Sequence, residues 1–306
     1  QLLRVLVEAR VIEVTQRAQR FVADEPPKAL VDRAAKVFTN TRGDLREVVR
    51  TIVTNEALKA TLAGLRQGKS EFFQVDIGNG VALDGWMMFP PDFDATKKYP
   101  VLFHVYGEPA SQTVTDSYGG SNWLWHLMLT QQGYIVASVD QRGTPAPKGR
   151  AWRKAVLNQI GKLRVEEQSA AAKIIGRRPY VDSTRMGVWG WSGGGSSTLH
   201  LMFRANDVYK MGMAVAPVPD VHNYDTIYQE RYMGVPQENE AGYKVGSAIN
   251  FAEGLKGKLL VVHGSGDDNV HAQGTERLIN RLIELGKPFD SMIYPNRSHS
   301  ISEGPG

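Results

Sequence analysis

Residues 186–203 read MGVWGWSGGGSSTLHLMF, an apolar run, a glycine-flanked serine and a helix-compatible run in unbroken succession. The apolar residues Met186 to Trp189 suit a buried strand, and Ser197 to Phe203 suit a helix. Between them Gly190-Trp191-Ser192-Gly193-Gly194-Gly195 has the form G-x-S-x-G, with glycines where a sharp strand-to-helix turn needs them. Such a turn lifts a serine hydroxyl out of the sheet. A hydroxyl is a poor nucleophile at neutral pH, so a serine held in this way needs a base and an acid elsewhere in the chain.

Both are found downstream in the order Ser, acid, His that this turn predicts. A short apolar run, Gly257-Lys258-Leu259-Leu260-Val261-Val262-His263, reads as a buried parallel strand and empties into Gly264-Ser265-Gly266-Asp267-Asp268-Asn269-Val270-His271. Asp267 is the expected acid, with Asp268 its neighbouring competitor, because spacing cannot separate two adjacent carboxylates. A second run, Phe289 to Tyr294, ends in Pro295-Asn296-Arg297-Ser298-His299, which makes His299 the expected base. Most of the rival histidines His104, His126, His200, His222, His263 and His271 sit in or beside apolar runs, where a hydrogen-bonded structural role is the commoner outcome. The fold class these elements imply is α/β: an α/β-hydrolase fold with a mostly parallel sheet, helices on both faces, and catalytic loops at the carboxyl ends of the strands.

Six segments extend the pattern: LDGWMMFPPDFDATKKYPVLFHVYGEPASQTV (83–114), GYIVASVDQRGTPAPKGRAW (133–152), RMGVWGWSGGGS (185–196), APVPDVHNYDTIYQERYMGVP (216–236), HGSGDDNVHAQG (263–274) and YPNRSHS (294–300). In their order and spacing, the chain from about Glu71 onward resembles the catalytic domain of the prolyl oligopeptidase family of serine peptidases, in its dipeptidyl peptidase IV-like branch. The resemblance puts Ser192, Asp267 and His299 on the family's triad positions. It makes the Tyr106 hydroxyl and the Gly193 backbone N–H the donors of an oxyanion hole. It places Tyr224 and Tyr228 in the pocket for the residue on the acyl side of the scissile bond; four apart on a helix, the two rings would share one face. Val270 would add to that pocket, and Asn269 and Arg231 fall on substrate-contacting positions. Val221 stands where relatives carry a tryptophan in the pocket wall, which puts strict proline preference in question, and Gly193 stands where many carry a tyrosine.

The activity so implied is cleavage of short peptides after proline or a small residue through an acyl-enzyme. The alternatives are an esterase or acylaminoacyl hydrolase on the same triad, and a hydrolase-like binding module without chemistry. No cofactor is implied. The chain has no cysteine, no H-E-x-x-H pattern and no compact cluster of histidines and carboxylates, so nothing points to a metal. The glycine run lacks the Lys-Ser/Thr ending of a phosphate-binding loop. The formal net charge of +4 is dispersed and lacks an aromatic-interleaved basic stripe, against a nucleic-acid partner. No apolar run approaches the about 18 residues of a membrane span. A homodimer, and either a cytoplasmic or a periplasmic setting, are compatible with the sequence.

Before Lys69 the chain shows no strand-and-turn repeat of the kind that builds the family's β-propeller. Pro27 can open a helix carrying Ala29, Leu30, Ala34, Ala35 and Phe38, and Asp44-Leu45-Arg46-Glu47 resembles a capping box ahead of Val48, Val49, Ile52 and Val53. Residues 20–58 faintly resemble the tail of a bacterial protein family of unknown function. The expected organisation is a separate helical segment at 1–68, of uncertain origin and open to being a fusion, and an α/β-hydrolase peptidase domain at 69–306, C-terminally truncated before the final helix of its relatives.

Overall fold

A computed structural model of the chain describes residues 28–41, 44, 47, 51, 67–117 and 122–301. Contacts divide the chain into two units, Gln1–Arg66 and Gln67–Gly306. In the first, helix α1 (Lys28–Asn40) buries Ala34, as the apolar spacing predicts. The Asp44 carboxylate accepts the Glu47 backbone N–H at 3.4 Å, the forward half of the expected capping box. Pro27 and the apolar residues Val48, Val49, Ile52 and Val53 lie outside the described residues.

The second unit is built on an eight-stranded sheet. Strands β1 (Ser70–Asp76), β2 (Ala82–Met88), β3 (Tyr99–His104), β4 (Ile135–Asp140), β5 (Val181–Trp191), β6 (Met211–Val215), β7 (Lys258–Gly264) and β8 (Asp290–Tyr294) lie in the order β1-β2-β4-β3-β5-β6-β7-β8. β1 and β2 pair antiparallel, as do β2 and β4; every pair from β4 to β8 is parallel. Parallel neighbours need crossovers, and helices supply them. These are α2 (Trp123–Gln131), the short α3 (Gly149–Lys154), α4 (Ile160–Ile175), α5 (Gly193–Arg204), α6 (Thr226–Met233), α7 (Glu240–Gly246) and α8 (Ala272–Glu284).

Covered on both faces, the central strands read as continuous apolar runs rather than alternating ones. All six residues of β4 are buried, as are Val101, Leu102 and Phe103 of β3 and Met186 to Trp189 of β5. The strands anticipated from Met186, Gly257 and Phe289 are β5, β7 and β8. From β3 the chain crosses to β4 on one side and then returns past β3 to β5 on the other. Such a reversal opens a crevice at the carboxyl ends of the strands, and the loops after β3, β5, β7 and β8 gather there.

Candidate active site

Ser192 sits between the last residue of β5 and the first of α5 with φ 57° and ψ −119°. A positive φ on a residue with a side chain is strained and persists only where its surroundings impose it. Here they do: the Ser192 N–H donates to Val215 O at the end of β6 (2.8 Å), and a Cβ at either Gly190 or Gly194 would collide with Val105 O beyond β3. Only glycine at those two positions lets the turn lie this close to the neighbouring strand. Tyr106 stands two residues beyond β3 and borders one cavity with Trp191 and Ser192. Gly193, as the first residue of α5, has a backbone N–H with no acceptor inside the helix.

The loops after β7 and β8 bring an acid and a base together. His299 Nδ1 lies 2.8 Å from Asp267 Oδ2, which leaves Nε2 as the nitrogen free to serve as a base. The His299 carbonyl accepts the Trp191 indole N–H at 2.9 Å, which ties this loop to the residue before Ser192. Asp267 is 5% exposed, and its Oδ1 accepts the backbone N–H groups of Asn269 (3.0 Å) and Val270 (2.8 Å). Burial alone would raise its pKa, but the His299 hydrogen bond and the Val270 amide outweigh it, and the carboxyl is held below its ordinary value. Asp268 is exposed.

Tyr224 and Tyr228 meet edge to face with ring centroids 5.5 Å apart. They do not share a helix, contrary to the expectation from their spacing. Asp225 caps α6, its Oδ1 accepting the Tyr228 N–H at 2.9 Å, so the helix begins at Thr226 and Tyr224 stays extended with φ −101° and ψ 167°. The Tyr224 hydroxyl donates to Asn269 Oδ1 at 3.1 Å, which joins the aromatic pair to the Asp267 loop. Val270, 4% exposed, lies in that loop. Val221 packs elsewhere, in an apolar cluster with Ile160, Met233 and Tyr243. Arg231 is exposed and borders a separate cavity with Pro109, Arg150, Arg153 and Tyr232.

The remaining histidines are engaged away from Ser192. His263 is fully buried, with Nδ1 2.7 Å from Thr275 Oγ1 and Nε2 2.8 Å from Val270 O, and that same Nε2 lies 3.2 Å from Asp267 Oδ2. It therefore backs the acid. His200 Nε2 meets Gly246 O, and His222 meets the Asp220 carboxylate; His271 stands exposed at the N-terminal boundary of α8, its side chain making no capping bond. His104 and His126 pack in an aromatic cluster with Trp86, Trp125 and Trp189. Among the described residues no group of three or more histidines and carboxylates could hold a metal, and no helix is long and apolar enough to cross a membrane.

Two residues at the site were not anticipated from the sequence. Glu108 Oε2 accepts the Tyr228 hydroxyl at 2.9 Å, and Oε1 accepts Arg164 Nη2 at 2.8 Å. Arg164, on α4, is 1% exposed. The available signal was an acid in a loop that leaves a strand at its functional end, in the run Val105-Tyr106-Gly107-Glu108-Pro109. Burial pushes the Tyr106 and Tyr228 phenols well above their ordinary value, and the negative charge of Glu108 adds to the shift at both.

A family model described as the prolyl oligopeptidase family matches residues 121–305, and one described as a protein of unknown function (DUF1800) matches residues 9–70. The chain is 46% identical over 215 residues to a "Probable dipeptidyl-aminopeptidase B" from Arthroderma gypseum, covering 69% of this chain and 23% of that protein. It is 44% identical over 229 residues to a protein of the same description from Uncinocarpus reesii, covering 72% and 25%. Among solved structures, dipeptidyl peptidase 4 from Porphyromonas gingivalis superposes with a TM-score of 0.78 at 44% identity, covering 82% of this chain and 35% of that one. The chain spans about a quarter of the length of the curated relatives it matches.

Proposed function

From its membership of the prolyl oligopeptidase family, to which the chain belongs, we propose that residues 69–306 form a serine peptidase domain acting through Ser192, His299 and Asp267. The observation that carries this is a strained serine, a carboxylate-held imidazole whose loop is tied to Trp191 beside that serine, and a half-buried phenol, at the ends of three strands. His299 Nε2 takes the Ser192 proton as Oγ attacks the carbonyl carbon. Asp267, kept ionised by its amide and imidazole partners, fixes the tautomer and stabilises the imidazolium that forms. The Gly193 N–H and the Tyr106 O–H face the developing oxyanion. When the C–N bond breaks, the leaving amine takes the proton from His299, and the acyl-Ser192 ester is then hydrolysed by water activated by the same imidazole.

The substrate in this reading is a short peptide cleaved after proline or a small residue. Supporting it, the edge-to-face Tyr224–Tyr228 pair offers an aromatic wall for a slot suited to a ring without an N–H. Relatives described as dipeptidyl peptidases support dipeptide release as the activity of a whole protein of their length. Residues 1–68 are read as a separate helical piece, supported by the family match at 9–70 and the contact division after Arg66.

Labelling the purified chain with a fluorophosphonate, with the adduct located by peptide mass spectrometry, tests the reading. An adduct on Ser192 that disappears in Ser192→Ala is the expected result; a folded chain without an adduct at Ser192 overturns it.

A further inference from the structure

Glu108 holds a position that the triad does not require. It leaves β3 two residues after Tyr106, and its side chain reaches across the start of α5. A Cβ added at Gly193 would lie 2.8 Å from Glu108 Cδ, 2.9 Å from Oε2 and 3.0 Å from Cγ. The Glu108 carboxylate therefore fills the space that any side chain following Ser192 would enter. Its two oxygens are divided between the two sides of that space. One accepts the Tyr228 hydroxyl, and the other meets Arg164, whose own Nε donates to Ile160 O at 3.1 Å. With Arg164 1% exposed and Glu108 12% exposed, the pair is a fixed strut from α4 to the aromatic slot, not a surface ion pair.

We propose that Glu108 is a specificity-determining residue that closes the inner end of the slot beside Ser192 and holds Tyr228 in place as its wall. This rests on the reading of Ser192 as nucleophile. The slot then owes its size to a carboxylate from the β3 loop. Its length, not its charge, sets which acyl-side residue fits, since Arg164 offsets the charge. A small or cyclic apolar side chain ends short of the carboxylate. A longer branched one would meet it, and would displace either the Arg164 pair or the Tyr228 hydroxyl bond. Both losses leave a buried polar group without its partner.

The test compares rates of Ser192 phosphonylation by the diphenyl aminoalkylphosphonate analogues of proline, alanine and leucine, in the full 306-residue chain. Glu108→Ala alone strands a buried guanidinium and endangers folding, so the informative variant is Glu108→Ala with Arg164→Met, which removes both charges together. Glu108→Gln keeps the shape and serves as its counterpart. The leucine-to-proline rate ratio should rise by about tenfold in the double variant, the scale of a methylene-sized difference in an apolar pocket, and stay near wild type in Glu108→Gln. An unchanged ratio in a folded double variant that still labels at Ser192 overturns the role of Glu108 alone. A ratio that rises equally in Glu108→Gln overturns the claim that length decides. A wild-type chain that labels with none of the three probes overturns both this proposal and the peptidase reading.

Discussion

Asp267 and Asp268 are chemically equal in the sequence and unequal in the molecule. Side chains that follow one another along a loop after a strand diverge, and only one can turn inward. Asp267 does so and meets four partners: His299, His263 and the amides of Asn269 and Val270. Its lowered pKa means that these bonds favour the ionised form more than burial penalises it. By linkage, the stability they provide is complete above the ordinary carboxylate value and is lost as pH falls through the lowered one, so it is fully present near neutrality and gives no pH dependence there. Replacing Asp267 by Asn preserves the shape, but it presents an amide where the imidazole needs an acceptor at Nδ1, and the wrong tautomer then faces Ser192. Asp267→Asn should slow fluorophosphonate labelling of Ser192 by about 10⁴-fold, the scale seen when a triad acid is made neutral. Asp268→Asn should leave the rate within about twofold, as exposed substitutions away from such contacts do. Equal rates for the two variants would remove Asp267 from the mechanism. The type of residue needed was legible from the order Ser, acid, His; the choice between neighbours was not, because burial is a property of the folded loop.

At the scale of elements, the strands and the elbow were legible because each carries a local signal: an apolar run for a strand buried on both faces, and glycines for a turn packed against Val105. The tyrosine pair was misjudged at the same scale. Spacing of four suggests one helical face, but Asp225 lies between the rings and is a strong N-cap, and capping prevailed over periodicity. The pair depends on that cap, because Tyr224 must stay extended to reach Asn269 while Tyr228 must be helical to reach Glu108. Asp225→Ala should therefore cost about 1 kcal/mol of stability, as cap removal does. It should also slow labelling by the proline phosphonate more than labelling by a small fluorophosphonate that does not enter the slot. Asp225→Asn, an equally good cap, should restore both. Thermal unfolding and the two labelling rates read this out, and a loss of stability with no change in the rate ratio would separate the cap from the slot. Glu108 and Arg164 escaped sequence reading for a different reason. They are 56 residues apart and only the crossover into α4 brings them together.

Across the peptidase unit, the crossovers that gather the loops at one end of the sheet also bury histidines that take no part in the proposed chemistry. His104 ends β3 and His126 lies on α2, within an indole-rich cluster. Burial holds the His104 pKa down to about 3, with His126 adding to the shift, and burial holds His126 at about 4. Burial likewise lowers His200 and His263. These rings are neutral in the folded chain, whereas the unfolded chain protonates them below the ordinary histidine value of about 6.5. The sign follows directly: the unfolded state binds more protons as pH falls from about 6.5 towards 4, so stability is full above that range and declines through it. Each ring contributes about 1.4 kcal/mol per pH unit while its two states differ by one whole proton. Asp267 adds to the loss only at the acid end. The unit should thus lose stability in mild acid, and the Asp140 carboxyl, which burial holds above its ordinary value, offsets part of that loss as it takes up a proton. Urea unfolding between pH 7 and pH 4.5 should show a falling free energy, and His126→Phe, which keeps a ring in the indole cluster, should reduce the slope by about one proton. An unaltered slope in that variant would mean that the imidazole is already protonated in the fold. In that case the cluster must hold a counter-charge that none of its aromatic neighbours supplies.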